Sequence, residues 1–287
     1  MKNKHRRHPD WLKVPIPGGK TYAAMKEQLR NSHLHTICEE AKCPNQAECF
    51  GNGVATFLIL GDRCTRNCRY CHVTHATPFV LNENEPYDVA ISVQQLGLSY
   101  VVITSVTRDD LSDGGASVYV ETITKIKEMN PGCKVEVLIP DFKGNQTALM
   151  NVLQASPDVL NHNIEVVKAL FPSIRPEGNY ERSITLLKQS KTEYPKIPTK
   201  SGFMVGLGET EEQIDELLHD LRKVQVDMLT IGQYLQPSKN HAPIHKYYTP
   251  TEFDLLKEKA LTLGFAHVES DPLVRSSYHA EQAMKQM

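Results

Sequence analysis

The sequence predicts an α/β fold: a partial (β/α)6 barrel of the TIM type with an N-terminal and a C-terminal extension. Six apolar, β-branched runs alternate with six stretches of helical periodicity, which indicates a parallel sheet built from right-handed βαβ units. No seventh or eighth unit is predicted, so the barrel is expected to be incomplete. Polar residues follow several predicted strands at their carboxyl ends, where barrels and open parallel sheets carry their functional residues. An open, doubly wound sheet is the alternative architecture.

The strands are predicted from short apolar runs and the helices from apolar residues at helical spacing. The predicted strands cover residues 54–60, 100–105, 134–139, 159–163, 202–207 and 228–233. The predicted helices cover residues 22–30, 86–96, 116–129, 146–154, 180–193, 211–224 and 251–263. Pro86 occupies a favoured first-turn position, and Thr210 followed by Gln213 predicts a capping box. Residues 1–53 are assigned to the N-terminal extension, 54–265 to the barrel and 266–287 to the C-terminal segment.

Composition and charge exclude several classes of function. Of the 287 residues, 40% are hydrophobic and 23% are charged, which is typical of a soluble globular protein with a sizeable core. The net charge of −2 provides no global positive field for nucleic acid or an anionic membrane, and the apolar runs are too short to cross a bilayer. The basic start at residues 2–8 is not followed by the apolar core of a secretory signal. A cytoplasmic location is therefore predicted, where clustered cysteines more often bind metal than form disulfides.

Six of the seven cysteines fall into two groups, and the second group follows the first predicted strand. Cys64, Cys68 and Cys71 form a C-x3-C-x2-C run. Three thiolates on one loop can bind three irons of a [4Fe–4S] cube and leave the fourth iron open for a substrate group. A zinc site completed by His72 or His75 is the alternative.

The first group, Cys38, Cys43 and Cys49, forms a C-x4-C-x5-C run. Its spacing alone fits either a second cluster or a zinc ion. Cys133 stands by itself before the third predicted strand and is interpreted as a small buried hydrophobic residue.

The second cysteine group resembles the signature of the radical SAM superfamily, including the aromatic Tyr70 before its last cysteine. In that superfamily the open iron binds the amino and carboxylate groups of S-adenosylmethionine (SAM). One electron from the cluster then cleaves SAM to methionine and a 5′-deoxyadenosyl radical.

The two groups together resemble the lipoyl synthase family, and the similarity runs through most of the chain. The matching segments are residues 38–50, 55–74, 106–116, 161–165, 199–210, 233–238 and 272–280. The resemblance implies a sulfurtransferase of lipoate biosynthesis and protein lipoylation, which inserts two sulfur atoms at C6 and C8 of an octanoyl chain held on a carrier lysine. The implied cofactors are SAM and two [4Fe–4S] clusters, of which the auxiliary one donates the sulfur. The implied partners are octanoylated lipoyl-carrier domains (the H protein or acyltransferase subunits), an electron donor and an iron–sulfur repair carrier.

The resemblance also assigns roles to individual residues. It makes Cys64, Cys68 and Cys71 the ligands of the SAM cluster. It makes Cys38, Cys43 and Cys49 ligands of the auxiliary cluster, with Ser277 as an unusual fourth ligand. The alternative for Ser277 is a hydrogen bond that caps the C-terminal segment. The expected SAM contacts are Tyr70, Gly114, Gly115, Asn163, Glu165, Arg175 and Gly206. A plain turn is the alternative for the glycine pair, and a solvated side chain is the alternative for Arg175.

Two other functions compete with this interpretation. One is a different sulfur-inserting radical SAM enzyme, for example one similar to biotin synthase. The other is a non-enzymatic iron–sulfur protein, either an electron carrier or a binding module whose fold is stabilised by the bound metal. The basic N-terminal arm could dock an acidic carrier domain, although a frayed terminus is the simpler interpretation.

Overall fold

The structure, a computed structural model, describes residues 8–14, 18–32, 34–51 and 55–285. The described residues form ten strands: β1 (His35–Thr36), β2 (Thr56–Ile59), β3 (Arg63–Cys64), β4 (Thr74–His75), β5 (Tyr100–Ser105), β6 (Lys134–Leu138), β7 (Val159–Asn161), β8 (Thr199–Val205), β9 (Met228–Gln233) and β10 (His267–Ser270). Residues 2–7 of the predicted basic arm and Val54 of the first predicted strand lie outside the described residues.

The described residues also form eleven α-helices: α1 (Lys20–Asn31), α2 (Ile37–Glu40), α3 (Gln46–Gly51), α4 (Glu85–Gln95), α5 (Ala116–Met129), α6 (Gln146–Gln154), α7 (Phe171–Ile174), α8 (Tyr180–Glu193), α9 (Glu211–Lys223), α10 (Pro250–Thr262) and α11 (Ala280–Lys285). None of the helices in the described ranges is long and apolar enough to span a bilayer.

The main sheet confirms the predicted fold class. Its eight strands run in the order β1-β2-β5-β6-β7-β8-β9-β10, and all neighbours pair in parallel except β1 with β2. No pairing joins β1 to β10 among the described residues, so the sheet is a partial barrel. A separate two-stranded sheet, β3 with β4, lies around the second cysteine group.

The sheet contains one parallel strand more than the six predicted. β10 pairs with β9 from His267 to Ser270 and extends the sheet past the predicted barrel limit at residue 265. The strand was missed because it has four residues, of which only Val268 is apolar and β-branched. Its polar residues are nevertheless largely buried, because the neighbouring strand and α10 cover them.

Local sequence explains the helix ends and buried faces. The predicted capping box at α9 is present, with Thr210 and Gln213 each accepting a hydrogen bond from the other's backbone N–H. α9 buries Ile214, Leu217 and Leu221, which recur at the spacing of one helix face. Such faces pack on the sheet in two extensive apolar clusters and leave the carboxyl ends of the strands for polar side chains.

Candidate active site

A cavity of about 510 Å³ lies at the carboxyl ends of β5 to β9. It is lined by side chains from both cysteine groups, from the strand ends and from the C-terminal segment. The predicted site residues among its lining are Cys38, Cys43, Cys64, Cys68, Cys71, Tyr70, Asn163, Glu165, Arg175 and Ser277. Cys49, Gly114, Gly115 and Gly206 are also described, but they are not part of the lining. The fold therefore brings both cysteine groups to one cavity.

In the second cysteine group, Cys64 ends β3, and Cys68 and Cys71 lie on the loop between β3 and β4. The Cys64 thiol accepts hydrogen bonds from the backbone N–H groups of Thr107 (3.3 Å) and Arg66 (3.4 Å). Burial raises the pKa of Cys68 to about 11 and that of Cys71 to about 12. These thiols are therefore protonated near neutral pH, and binding of positively charged iron would release their protons.

Buried ion pairs anchor this loop, and they were not predicted from the sequence. The guanidinium of Arg66, whose side chain is 3% exposed, donates to Asp109 at 2.7 and 2.9 Å and to Asp141 at 2.6 Å. Asp141 also accepts from Arg182 at 3.1 Å. Burial alone would raise the pKa of Asp141, but the hydrogen bond and charge of Arg66 hold it well below its usual range.

A second set of contacts joins the cysteine loop to its surroundings. His241, on the loop after β9, places its Nε2 2.9 Å from the Cys71 carbonyl oxygen. His72 places its Nδ1 3.1 Å from the carbonyl oxygen of Glu40, in the loop of the first cysteine group. His72 therefore connects the two cysteine loops through a backbone contact.

The first cysteine group is held by two short helices. Cys38 lies in α2 and Cys49 in α3; ionisation of Cys43 would raise the pKa of both thiols, and burial raises the pKa of Cys43 itself. Burial raises the pKa of Cys38 and of Cys49 to about 12. The three thiols thus form a second protonated group that could release protons on binding iron.

The C-terminal segment lies directly against the first cysteine group. The Thr56 hydroxyl donates to Ser277 Oγ at 2.8 Å, and Thr56 also lies near enough to the Cys38 thiol to oppose the rise in its pKa that burial causes. Asn45, two residues after Cys43, donates through Nδ2 to the Leu273 carbonyl oxygen at 2.6 Å. Ser277 therefore lies near Cys38 and lines the same cavity as Cys38 and Cys43.

Among the described residues, no group of three or more His, Cys, Asp or Glu side chains is placed to hold a metal ion.

Near Cys68, charged groups of both signs meet in the cavity lining. Asn163 donates to Glu165 at 3.2 Å, and Arg175 donates to the carbonyl oxygen of Asn163 at 3.1 Å. Burial raises the pKa of Glu165, and the charge of Arg175 opposes this shift. Arg175 Nε is buried and has no hydrogen-bond partner. A carboxylate, an amide and an available guanidinium suit a ligand with both amino and carboxylate groups, such as SAM.

The predicted glycines meet backbone requirements next to the cavity. Gly115 has φ +89°, and a Cβ there would lie 2.3 Å from a methyl carbon of Leu60. Gly206 has φ +104°, and a Cβ there would lie 2.2 Å from Gln233 Nε2. Both positions therefore require glycine for conformation and packing. Their predicted contacts with SAM, like that of Gly114, stay predictions.

Sequence reasoning also did not assign a role to His162, which follows β7 and lines the cavity. Its Nδ1 lies 2.8 Å from the Ile139 carbonyl oxygen and its Nε2 lies 2.9 Å from Ser183 Oγ. Burial lowers the pKa of His162 to about 4, so the ring is neutral near pH 7. Its position at the end of a predicted strand was the only signal in the sequence.

Comparisons with known proteins agree with these features. The family model described as the radical SAM superfamily matches residues 58–221, and the N-terminal domain model of lipoyl synthase matches residues 1–43. The lipoyl synthase of Rubrobacter xylanophilus is 53% identical over 98% of this chain and 87% of the relative. That of Caldicellulosiruptor saccharolyticus is 52% identical over 97% of this chain and 98% of the relative.

Solved structures of much lower identity share the fold. Methylornithine synthase aligns with a TM-score of 0.57 at 14% identity, over 87% of this chain and 76% of that protein. The FeFe-hydrogenase maturase HydG from Carboxydothermus hydrogenoformans aligns with a TM-score of 0.56 at 13% identity, over 79% and 64%. From the relatives and the family models, this chain belongs to the lipoyl synthase family and is a SAM-dependent iron–sulfur enzyme of the radical SAM superfamily.

Proposed function

We propose that this enzyme inserts two sulfur atoms, at C6 and C8, into an octanoyl chain attached to a lysine of a carrier domain, and so forms the lipoyl group. The observation that carries the proposal is the convergence of both cysteine groups, with Ser277, on one cavity. Sulfur insertion at an unactivated carbon needs a radical to remove hydrogen and a nearby source of sulfur. One cavity lined by proposed ligands of each cluster meets both needs.

In this proposal Cys64, Cys68 and Cys71 hold the SAM cluster, which supplies the electron that cleaves SAM when both are bound. Arg175 and Glu165 orient the amino acid part of SAM through their opposite charges. Apolar side chains at the strand ends, including Val106 and Leu138, line the cavity and exclude water around the acyl chain.

Cys38, Cys43, Cys49 and Ser277 hold the auxiliary cluster in this proposal. A serine oxygen is a hard ligand and binds iron–sulfur centres less strongly than a thiolate. The Thr56 hydroxyl donates to Ser277 Oγ and would stabilise negative charge on that oxygen. A ligand of this kind suits a cluster that must open to give up sulfide.

The proposed partners and organisation follow from the same chemistry. The substrates are octanoylated lipoyl-carrier domains, supported by an electron donor and by an iron–sulfur carrier that rebuilds the auxiliary cluster. In this proposal residues 1–53 carry the auxiliary ligands, 54–265 form the SAM-binding barrel that β10 extends, and 266–287 complete the auxiliary site. We also propose a cytoplasmic location, where thiols are kept reduced and clustered cysteines can bind metal.

Mass spectrometry of an octanoylated carrier domain tests the proposed function directly. After anaerobic incubation with reconstituted enzyme, SAM and dithionite, the carrier is expected to gain the mass of two inserted sulfurs, with release of 5′-deoxyadenosine. An electron carrier or a binding module would release no 5′-deoxyadenosine. Deoxyadenosine without any sulfur on the octanoyl group would contradict the substrate assignment.

Iron content provides a second prediction. Anaerobically reconstituted protein is expected to hold about eight irons per chain, since two four-iron cubes occupy the two ligand sets. Iron and acid-labile sulfide assays measure this directly. A reproducible value near four irons in fully active protein would contradict the assignment of two clusters.

Ser277→Cys tests the proposed fourth ligand. A thiolate binds iron more tightly than a serine oxygen, so the auxiliary cluster is expected to persist but to open more slowly. Under single-turnover conditions, lipoyl product should therefore fall more than 5′-deoxyadenosine. If Ser277 only hydrogen-bonds within the C-terminal segment, the ratio of product to deoxyadenosine should equal that of the wild type.

A further inference from the structure

A buried ion pair lies inside the barrel and belongs to neither predicted ligand set. Lys200 on β8 places its Nζ 3.1 and 3.4 Å from the two carboxylate oxygens of Glu136 on β6. The side chains are 2% and 1% exposed, and Tyr100 donates its hydroxyl to the same carboxylate at 2.6 Å. Burying two charges costs free energy that the ion pair and its further hydrogen bonds only offset. A buried pair of this kind therefore adds little net stability, and the contacts that it makes are candidates for a specific role.

The ion pair determines how the amide of Asn161 is oriented. Asn161 Nδ2 donates to Glu136 Oε1 at 2.9 Å and to Ser276 Oγ at 2.8 Å. An ionised carboxylate can only accept, so a flipped amide would place Asn161 Oδ1 against Glu136. The observed orientation leaves Oδ1 buried without a partner, and the bonds to Glu136 and Ser276 offset this cost.

The hydroxyl of Ser276 has a single orientation that fits both of its neighbours. It accepts from Asn161 and donates to Asn163 Oδ1 at 3.0 Å. Asn163 Nδ2 in turn donates to Glu165 on the proposed SAM side of the cavity. One chain of hydrogen bonds therefore joins the barrel interior, the C-terminal segment and the SAM side.

A close backbone contact independently holds the same segment. A Cβ at Gly232 on β9 would lie 2.2 Å from the Val274 carbonyl oxygen. The backbone of the C-terminal segment thus lies directly on the strand. With Asn45 bound to Leu273, the segment is held by the strand and by the first cysteine loop before it reaches Ser277.

We propose that Ser276 is a positioning residue: its hydroxyl, oriented by Asn161 and the Glu136–Lys200 pair, fixes the C-terminal segment so that Ser277 stays at the auxiliary cluster. This inference rests on the proposed function, because it takes Ser277 as a ligand. In this inference the Glu136–Lys200 pair acts through Asn161 and Ser276 to hold the oxygen of Ser277 at the auxiliary cluster. Ser276 itself contacts no iron in this assignment.

Hydrogen exchange on cluster-free protein tests the positioning without reference to activity. In Ser276→Ala, the backbone amides of residues 274–278 are expected to exchange about tenfold faster, because two hydrogen bonds to the segment are lost. Ser276→Thr keeps the hydroxyl and should restore slow exchange. Gly232→Ala serves as a positive control, since its methyl group displaces the Val274 carbonyl. Wild-type exchange in Ser276→Ala would overturn the proposal.

The double variant Glu136→Gln/Lys200→Met tests the role of the ion pair. It removes both charges together and so leaves no unpaired charge in the barrel. The amide of Asn161 can then turn, and residues 274–278 should exchange faster while the amides of β6 remain protected. Unchanged exchange at 274–278 would overturn the part assigned to the ion pair.

Iron release separates failure of this inference from failure of the proposed function. The triple variant Cys64→Ala/Cys68→Ala/Cys71→Ala lacks the ligands of the SAM cluster and is expected to load only the auxiliary cluster. In that background, Ser276→Ala should transfer iron to a ferrous chelator about tenfold faster, as expected for loss of two hydrogen bonds. Ser277→Ala should accelerate release at least as much. If Ser276→Ala loosens the segment but neither change affects iron release, the positioning stands and the ligand assignment of Ser277 fails.

Discussion

Replacement of Cys68 by alanine is expected to abolish both SAM cleavage and sulfur insertion, whereas replacement of Cys43 is expected to abolish only sulfur insertion. Cys68 belongs to the loop whose cluster delivers the electron to SAM. Cys43 belongs to the separate loop that contacts the C-terminal segment through Asn45. Apart from the contact between His72 and Glu40, the two loops are held by different contacts, so loss of one cluster should leave the loop of the other folded.

The measurement compares 5′-deoxyadenosine with lipoyl product for each variant after anaerobic reconstitution. Cys133→Ala is the matched control, because Cys133 lies in the apolar core outside the cavity lining and should give wild-type yields of both. If Cys43→Ala and Cys68→Ala lost SAM cleavage equally while both remained folded, the division of roles between the two groups would be wrong.

The barrel could be predicted from the sequence wherever apolar spacing dominates. The bounds of β5, α5, α6, α8 and β9 agree with the prediction, because each element has a continuous apolar run or a clear helical face. β10 lacked this signal, since its burial comes from the strand and helix that cover it rather than from its composition. Local pattern therefore predicted the repeated units but not the strand that extends the sheet.

The site divides in the same way between local and tertiary information. The cysteine groups could be recognised because their ligands are close together in the chain. Ser277 contacts Thr56, which is 221 residues earlier, and only the family resemblance pointed to it. Arg66 and Asp141 are 75 residues apart in the chain, and no local sequence pattern predicts their contact. Pairs of this kind depend on the completed sheet, so sequence spacing alone cannot predict them.

Arg66→Met is expected to have the largest effect on stability and to remove the SAM cluster as well. It would leave Asp141, whose side chain is fully buried, paired only with the half-exposed Arg182. Removing one partner of a buried ion pair costs about 3–5 kcal/mol in the free energy of unfolding. The cysteine loop would lose its anchor, so reconstituted protein should hold about four irons rather than about eight.

Denaturant unfolding of cluster-free protein measures the stability change, and its pH dependence identifies the cause. In the wild type the pKa of Asp141 is lowered, so its contribution is present above about pH 4 and is lost as pH falls toward the folded-state pKa. In Arg66→Met, burial is opposed only by the contacts that remain, among them Arg182 and the Lys143 backbone N–H, so the pKa of Asp141 should rise. The difference from wild type should therefore be largest at neutral pH and should narrow as pH falls through the raised pKa of Asp141 in the variant. Lys125→Met, which breaks an exposed pair with Glu128, should cost less than about 1 kcal/mol at every pH. An Arg66 variant as stable as this control at pH 7 would mean that the ion pairs do not anchor the loop.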